Sequence, residues 1–185
     1  MRERRAVPRL NRPGRSADRE GMQPIESDDD LFEELWAVVV AGTETRASGE
    51  HELALVAHAL AAAVAVEPEE RAWALTALGS TLRALEHHHE ALQVLQVSLG
   101  IDASPKAQLA ASTCAVAVLC DLGRHEEARS LGERVRARHV DATFLRALGR
   151  VYFELSLNQD DGTLRSLSDS YFRSAELEEA RTGSV

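Results

Sequence analysis

The chain has 185 residues, 44% of them hydrophobic and 28% charged, with a formal net charge of −9 at pH 7. That is one domain's worth of chain with enough apolar material for a core, and it excludes a low-complexity or fibrous protein. Aromatic residues make up only 4%, so the core has to be built from Ala, Leu and Val, which suits close helix packing and predicts an all-α fold.

Residues 1–27 stand apart from the rest. Seven arginines face four acids among Pro8, Pro13, Pro24, Gly14 and Gly21, with few apolar residues. This composition predicts a disordered basic tail, because it cannot bury enough apolar surface to offset the entropy of ordering. Residues 28–185 then carry 14 basic and 26 acidic side chains, a net charge of −12. So acidic a domain repels phosphate backbones, which argues against nucleic acid as its partner. The tail supports an alternative reading, a regulatory protein associated with nucleic acid through its arginines.

No apolar run approaches the roughly 18 residues of a membrane span, and no secretory apolar segment follows the first arginines, so a cytoplasmic protein with no membrane partner is expected. Cys114 and Cys120 lie six places apart on one predicted helix. That spacing does not bring two thiols within bridging distance, in keeping with a reducing compartment.

From residue 28 the chain reads as one helical repeat domain. Ser27 or one of Asp28 to Asp30 is placed to cap a first helix whose apolar side is Leu31, Leu35, Val38 and Val39, with Gly42 and Gly49 bracketing its end. A second helix over 51–66, HELALVAHALAAAVAV, is apolar on nearly every side and is expected to be buried on more than one; Pro68 blocks its continuation. Leu75, Leu78, Leu82 and Leu85 form the stripe of a third helix, and Ala91, Val94, Leu95 and Leu99 that of a fourth, with LEHHHE as the turn between.

The next pair covers 106–139: a small, apolar helix ended by Gly123, then a charged surface helix, HEEARSLGERVRARH. The last pair starts near Asp141 and breaks at NQDDG, which predicts a loop over 156–163 about seven residues longer than the other turns. The final helix, 163–181, places Leu164, Leu167, Tyr171 and Phe172 at the end of the array. That edge offers a route to self-association through the C-terminal helix.

One offset, 37 residues, relates these elements. It superposes Trp36 on Trp73, Gly42 on Gly79, Pro68 on Pro105, Leu82 on Leu119, Ala54 on Ala91 and Ala128, and His51 on His88 and His125; Gly49 falls on Gly123 after two shifts. A period of 20 to 50 residues marks a solenoid, in which each unit buries its apolar face only by stacking on the next. Within this frame Leu75-x-x-Leu78-Gly79-x-x-Leu82, Ala91 twelve places after the glycine, and Leu95 resemble the tetratricopeptide repeat (TPR). Leu145-x-x-Leu148-Gly149-x-x-Tyr152 matches the same pattern, and YFRSAELEEA at 171–180 looks like its second helix. The resemblance covers about residues 30–180 and implies a right-handed α-solenoid of some eight helices in antiparallel pairs. It departs from the family in its offset, longer than 34, and in Trp73, two places before the family's tryptophan position.

The residues with reactive side chains are not expected to form a reaction centre. His87, His88 and His89 with Glu86 and Glu90 have metal-ligand chemistry. Consecutive turn residues point apart, however, and His88 is a repeat position, so packing is expected and no metal or cofactor. Cys114 sits among small apolar residues as an inert thiol, and Ser80 and Thr113 have no histidine at helical spacing. With no phosphate loop and no HExxH pattern, a non-enzymatic protein is expected.

The resemblance implies instead a concave groove lined by the first helix of each pair. On that face stand Trp36, Val39, Thr43 and Arg46, then Trp73, Thr76, Ser80 and Arg83, then Ala110, Thr113, Ala117 and Cys120, then Thr143, Arg146, Arg150 and Phe153. Tryptophan and arginine are the types that dominate interface energies. Arg146 and Arg150, one turn apart, are expected to hold a carboxylate jointly. The family's chaperone-tail clamp uses Lys and Asn at some of these places, where Val39 and Thr43 stand here. The expected function is a non-catalytic scaffold or adaptor that binds another protein or an acidic peptide segment.

Overall fold

The computed structural model describes residues 28–136 and 141–182, with side chains from Glu34 onward. Ser27 and the basic tail assigned to 1–27 lie outside the described residues. Within them the chain forms eight helices and no strand: α1 (Asp28–Ala47), α2 (His51–Val64), α3 (Pro68–Ala84), α4 (His88–Leu99), α5 (Pro105–Asp121), α6 (His125–Arg136), α7 (Ala142–Gln159) and α8 (Gly162–Thr182). Pro68 and Pro105 open α3 and α5 at the first helical turn, where a missing N–H is harmless. Ser104 and Asp141 cap α5 and α7 by accepting from Ala107 N and Phe144 N.

Each helix packs on its neighbour in the chain, and α1 also packs on α3, α3 on α5 and α5 on α7. Among the described residues no even-numbered helix packs on another. Odd helices in mutual contact with even helices splayed outside them make an α-solenoid whose inner face belongs to α1, α3, α5 and α7.

The 37-residue period is written into the backbone at the turns inside each hairpin. Gly49 (φ 90°), Glu86 (φ 63°), Gly123 (φ 71°) and Asp160 (φ 50°) all adopt the left-handed conformation, and each stands 37 places after the last. The next residue's N–H then reaches back to an orphan helix carbonyl: Glu50 to Thr45 O at 3.1 Å, His87 to Leu82 O at 2.9 Å, Arg124 to Leu119 O at 2.8 Å and Asp161 to Ser156 O at 3.3 Å. These are four copies of one helix stop. The expected long loop over 156–163 is therefore absent: α7 runs to Gln159, and Asp160 makes the same turn as its counterparts.

Gly42, expected at a helix end, lies inside α1. A Cβ there would stand 2.6 Å from His58 Nε2 on α2, and a Cβ on Gly79 would stand 2.6 Å from Leu95 Cγ on α4. His58 and Leu95 are themselves 37 apart, so the first two hairpins cross through the same glycine-to-side-chain contact.

The main core spans α4 to α8, around Leu95, Val116, Phe144, Leu148 and Val151. The first hairpin has a much thinner one, Val39, Ala61 and Ala74. Here the expectation for α2 is overturned. Only Ala54, His58 and Ala61 of this helix are buried, while Leu53, Val56, Leu60 and Val64 are each more than half exposed. Alanine and valine around the helix signal apolarity but do not say how many neighbours exist, and α2 packs only on α1 and α3. At the other end Leu164 and Tyr171 enter the core, leaving Leu167 and Phe172 partly exposed.

Candidate functional site

The inner face carries a cavity of about 710 Å³ at the C-terminal ends of α1, α3 and α5. Arg46, Ser80, Arg83, Cys120, Asp121 and Arg150 line it, with His88 and His125 at the start of α4 and α6. All four hairpins contribute. The helical register explains why: Arg46 and Arg83 are repeat equivalents in the last turn of α1 and α3, and a cation there also suits the negative end of the helix dipole.

Arg46 Nη1 donates to Ser80 Oγ at 2.7 Å. Its Nε is buried with no hydrogen-bond partner, and among the described residues no carboxylate lies within ion-pair distance of it. Arg83 pairs with Asp121, and Arg150 reaches the other oxygen of the same carboxylate at 2.9 Å. Burial raises the Asp121 pKa, but the hydrogen bond and charge of Arg83, together with Arg150, outweigh it and hold the group below the usual carboxylate value. One acid is thus shared by two arginines, and the third arginine has only a hydroxyl.

The thiols beside this cavity are quiet. Burial raises the Cys114 pKa against the pull of Arg83, Arg46 and Ser80. Burial likewise pushes Cys120 up to about 11. A protonated thiol is a poor nucleophile. Among the described residues no three His, Cys, Asp or Glu side chains are placed to hold a metal ion, and no helix is long and apolar enough to cross a membrane.

The structure divides the expected groove residues. Arg46, Ser80, Arg83, Arg150 and Cys120 come together in the cavity. Trp36 and Trp73 meet edge to face, ring centres 5.8 Å apart. Trp73 Nε1 donates to Glu69 Oε1 at 2.8 Å, and Glu69 also accepts from Ser104 N and Oγ, each at 2.6 Å. Burial raises the Glu69 pKa, but the Ser104 and Trp73 donors outweigh it and leave it lowered. This tryptophan pair therefore belongs to the joint between successive hairpins, away from the cavity.

The other expected groove residues are packed in the core or held by contacts elsewhere. Val39 is buried in the α1–α2 core. Thr76 is buried, its hydroxyl donating to Ala72 O and lying 3.0 Å from Ser98 Oγ on α4. Thr43 bonds back to Val39 O at 2.9 Å, and Thr113 likewise to Leu109 O at 2.8 Å. Arg146 and Arg150 do not converge: Arg146 makes a two-pronged pair with Glu179 on α8 while Arg150 takes Asp121. Phe153 lies under the Arg165 guanidinium at 4.2 Å. Sequence reasoning missed Asp121, although its place one residue after Cys120, at the last position of α5, puts it within an arginine's reach of both neighbouring helices.

Compared with known proteins, the chain matches no family model, and no curated protein matches it significantly.

Proposed function

We propose that this chain is a non-catalytic interaction scaffold of the tetratricopeptide type, which binds a protein or an acidic peptide segment on its inner face. The observation that carries the reading is the guanidinium of Arg46, which faces a cavity lined by all four hairpins and makes no ion pair among the described residues, although Glu86 and Glu154 also line that cavity. An incoming carboxylate finds there a planar donor fork that matches its geometry, next to an Asp121 already neutralised by two arginines. On a domain this acidic, such a site selects a partner's acidic group against a repulsive background, which favours specificity over raw affinity.

The test is titration calorimetry of the full chain with an oligo-glutamate peptide, comparing wild type with Arg46→Gln and Arg146→Gln. Binding that is weakened about tenfold by Arg46→Gln, unaffected by Arg146→Gln and reduced by salt is the expected result. Absence of wild-type binding, or equal loss in both variants, removes the cavity as the recognition site.

A further inference from the structure

Among the described residues the outer surface of α2 carries the longest run of exposed aliphatic side chains on one helix. Leu53, Val56, Leu60 and Val64 are 59%, 64%, 58% and 55% exposed and follow one another at helical spacing. The 37-residue period supplies an internal control. The positions equivalent to Leu53, Val56 and Leu60 are Glu90, Gln93 and Val97 on α4, and Glu127, Ser130 and Arg134 on α6, all of them exposed. The two middle hairpins therefore keep this face largely polar; the last has Leu164, Leu167 and Tyr171 at these places but takes Leu164 and Tyr171 into the core, so α2 is the helix that turns all three apolar side chains to solvent. The end of the solenoid does not explain the difference, because the same positions face solvent in hairpins that have neighbours on both sides.

The chemistry of the stripe narrows its occupant. Glu52 is the one acidic or basic side chain between His51 and Val64 apart from the histidines, so a charged partner has almost nothing to pair with. The tail at 1–27 is rich in arginine, interrupted by three prolines, and its few apolar residues, such as Val7 and Leu10 or Met22 and Ile25, make no stripe longer than one helical turn. A second copy of the chain, in contrast, brings the same stripe. Turned antiparallel about a two-fold axis near the middle of α2, Leu53 of one copy falls opposite Val64 of the other and Val56 opposite Leu60. The acidic starts of the two helices, Glu50 and Glu52, then lie at opposite ends instead of side by side, and the helix dipoles oppose. With these four side chains and Val66 just past the helix, 83% exposed, each leaving on the order of 100 Å² in water, full burial in both copies reaches at most roughly 1,000 Å², the lower bound for a specific interface.

We propose that α2 is the seam of a two-fold homodimer of this protein. Light scattering of the full chain across a dilution series tests it. The mass should approach twice 20.2 kDa at tens of micromolar and fall toward one chain on dilution. Val56→Glu and Leu60→Glu, both at exposed positions and therefore compatible with an unchanged helical circular dichroism, should each raise the dissociation constant about a hundredfold or more. A wild-type chain that stays monomeric at about 100 μM overturns the proposal. If its tail amides are then protected from hydrogen exchange, and lose that protection in Leu60→Glu, residues 1–27 cover the face instead. A dimer that survives both glutamates and is broken by Leu177→Glu places the seam on α8 and equally overturns it.

Discussion

The imidazole of His58 lies where a side chain on Gly42 would have to be, 2.6 Å from the position of a Cβ. Both nitrogens of that ring are used, Nδ1 against Thr81 Oγ1 at 2.8 Å and Nε2 against Val39 O at 3.2 Å, so the ring cannot turn aside without losing a buried hydrogen bond. Gly42→Ala should therefore destabilise the protein by roughly 1–3 kcal/mol, and Gly79→Ala by a similar amount against Leu95. Gly162→Ala, with open space around its Cα, is the control. Urea unfolding of the three variants checks the ranking.

His58 also sets a pH dependence. Its pKa is lowered from 6.5, chiefly by burial, with the Val39 carbonyl opposing and the Arg46 charge reinforcing the shift. The unfolded chain consequently binds the proton better than the folded one. The stability contributed by neutral His58 is fully present above pH 6.5 and is lost as pH falls from there through the lowered folded-state value. His58→Leu, which copies Leu95 at the equivalent position, should flatten the fall in urea midpoint between pH 7 and pH 5. An unchanged slope would show that other groups govern it.

Glu86 holds the left-handed turn that glycine makes at Gly49 and Gly123. A residue with a Cβ is strained there by about 1–2 kcal/mol, partly offset by the greater freedom glycine gives the unfolded chain. Glu86→Gly should raise stability by roughly 1 kcal/mol, which a melting temperature higher by about 2–4 °C would register. Asp160→Gly should gain less, since Asp tolerates this conformation better.

Asp121 joins three helices through two arginines. Asp121→Asn leaves Arg83 and Arg150 without their acid, and with Asp121 only 14% exposed but its partners partly in water, a loss of about 1–2 kcal/mol is expected. The wild-type contribution is in place above the ordinary carboxyl pKa near 4 and fades as acid protonates the group below it. Comparing acid unfolding of wild type and variant reads this directly: the variant should show less additional loss below pH 4.

Tyr152 and Tyr171 stack 5.3 Å apart and both donate to Glu133 Oε1, at 2.7 and 2.9 Å. Burial and that carboxylate push Tyr171 up to about 12. Tyr171→Phe should cost about 1 kcal/mol by removing a hydrogen bond to a charged acceptor. Chemical denaturation measures it, and a neutral result would mean that Tyr152 and Arg136 satisfy Glu133 unaided.

Much of the fold was legible because its causes are local. Pro68 and Pro105 can only begin a helix, Gly49 and Gly123 supply a backbone conformation that most residues avoid, and leucines three and four apart mark a buried stripe. The fourth turn was misread for the same reason in reverse. Asp160 does the work of a glycine, and Gly162, two places on, looked like part of a loop. In the site, Arg46 and Arg83 were found through the period, whereas Arg146 was misplaced because its partner, Glu179, lies 33 residues away on a helix whose contacts no spacing reveals.

The helices, their pairing into hairpins and the repeat that stacks them could be read from residue order, since they follow from backbone sterics and apolar periodicity within each unit. Which arginines share a cavity, which are occupied by an acid, and the turning of leucines and valines of α2 to water emerge from the packing of the hairpins. Those outcomes depend on where neighbouring helices end and how far a side chain reaches across the gap, distances that exist only once the hairpins are packed.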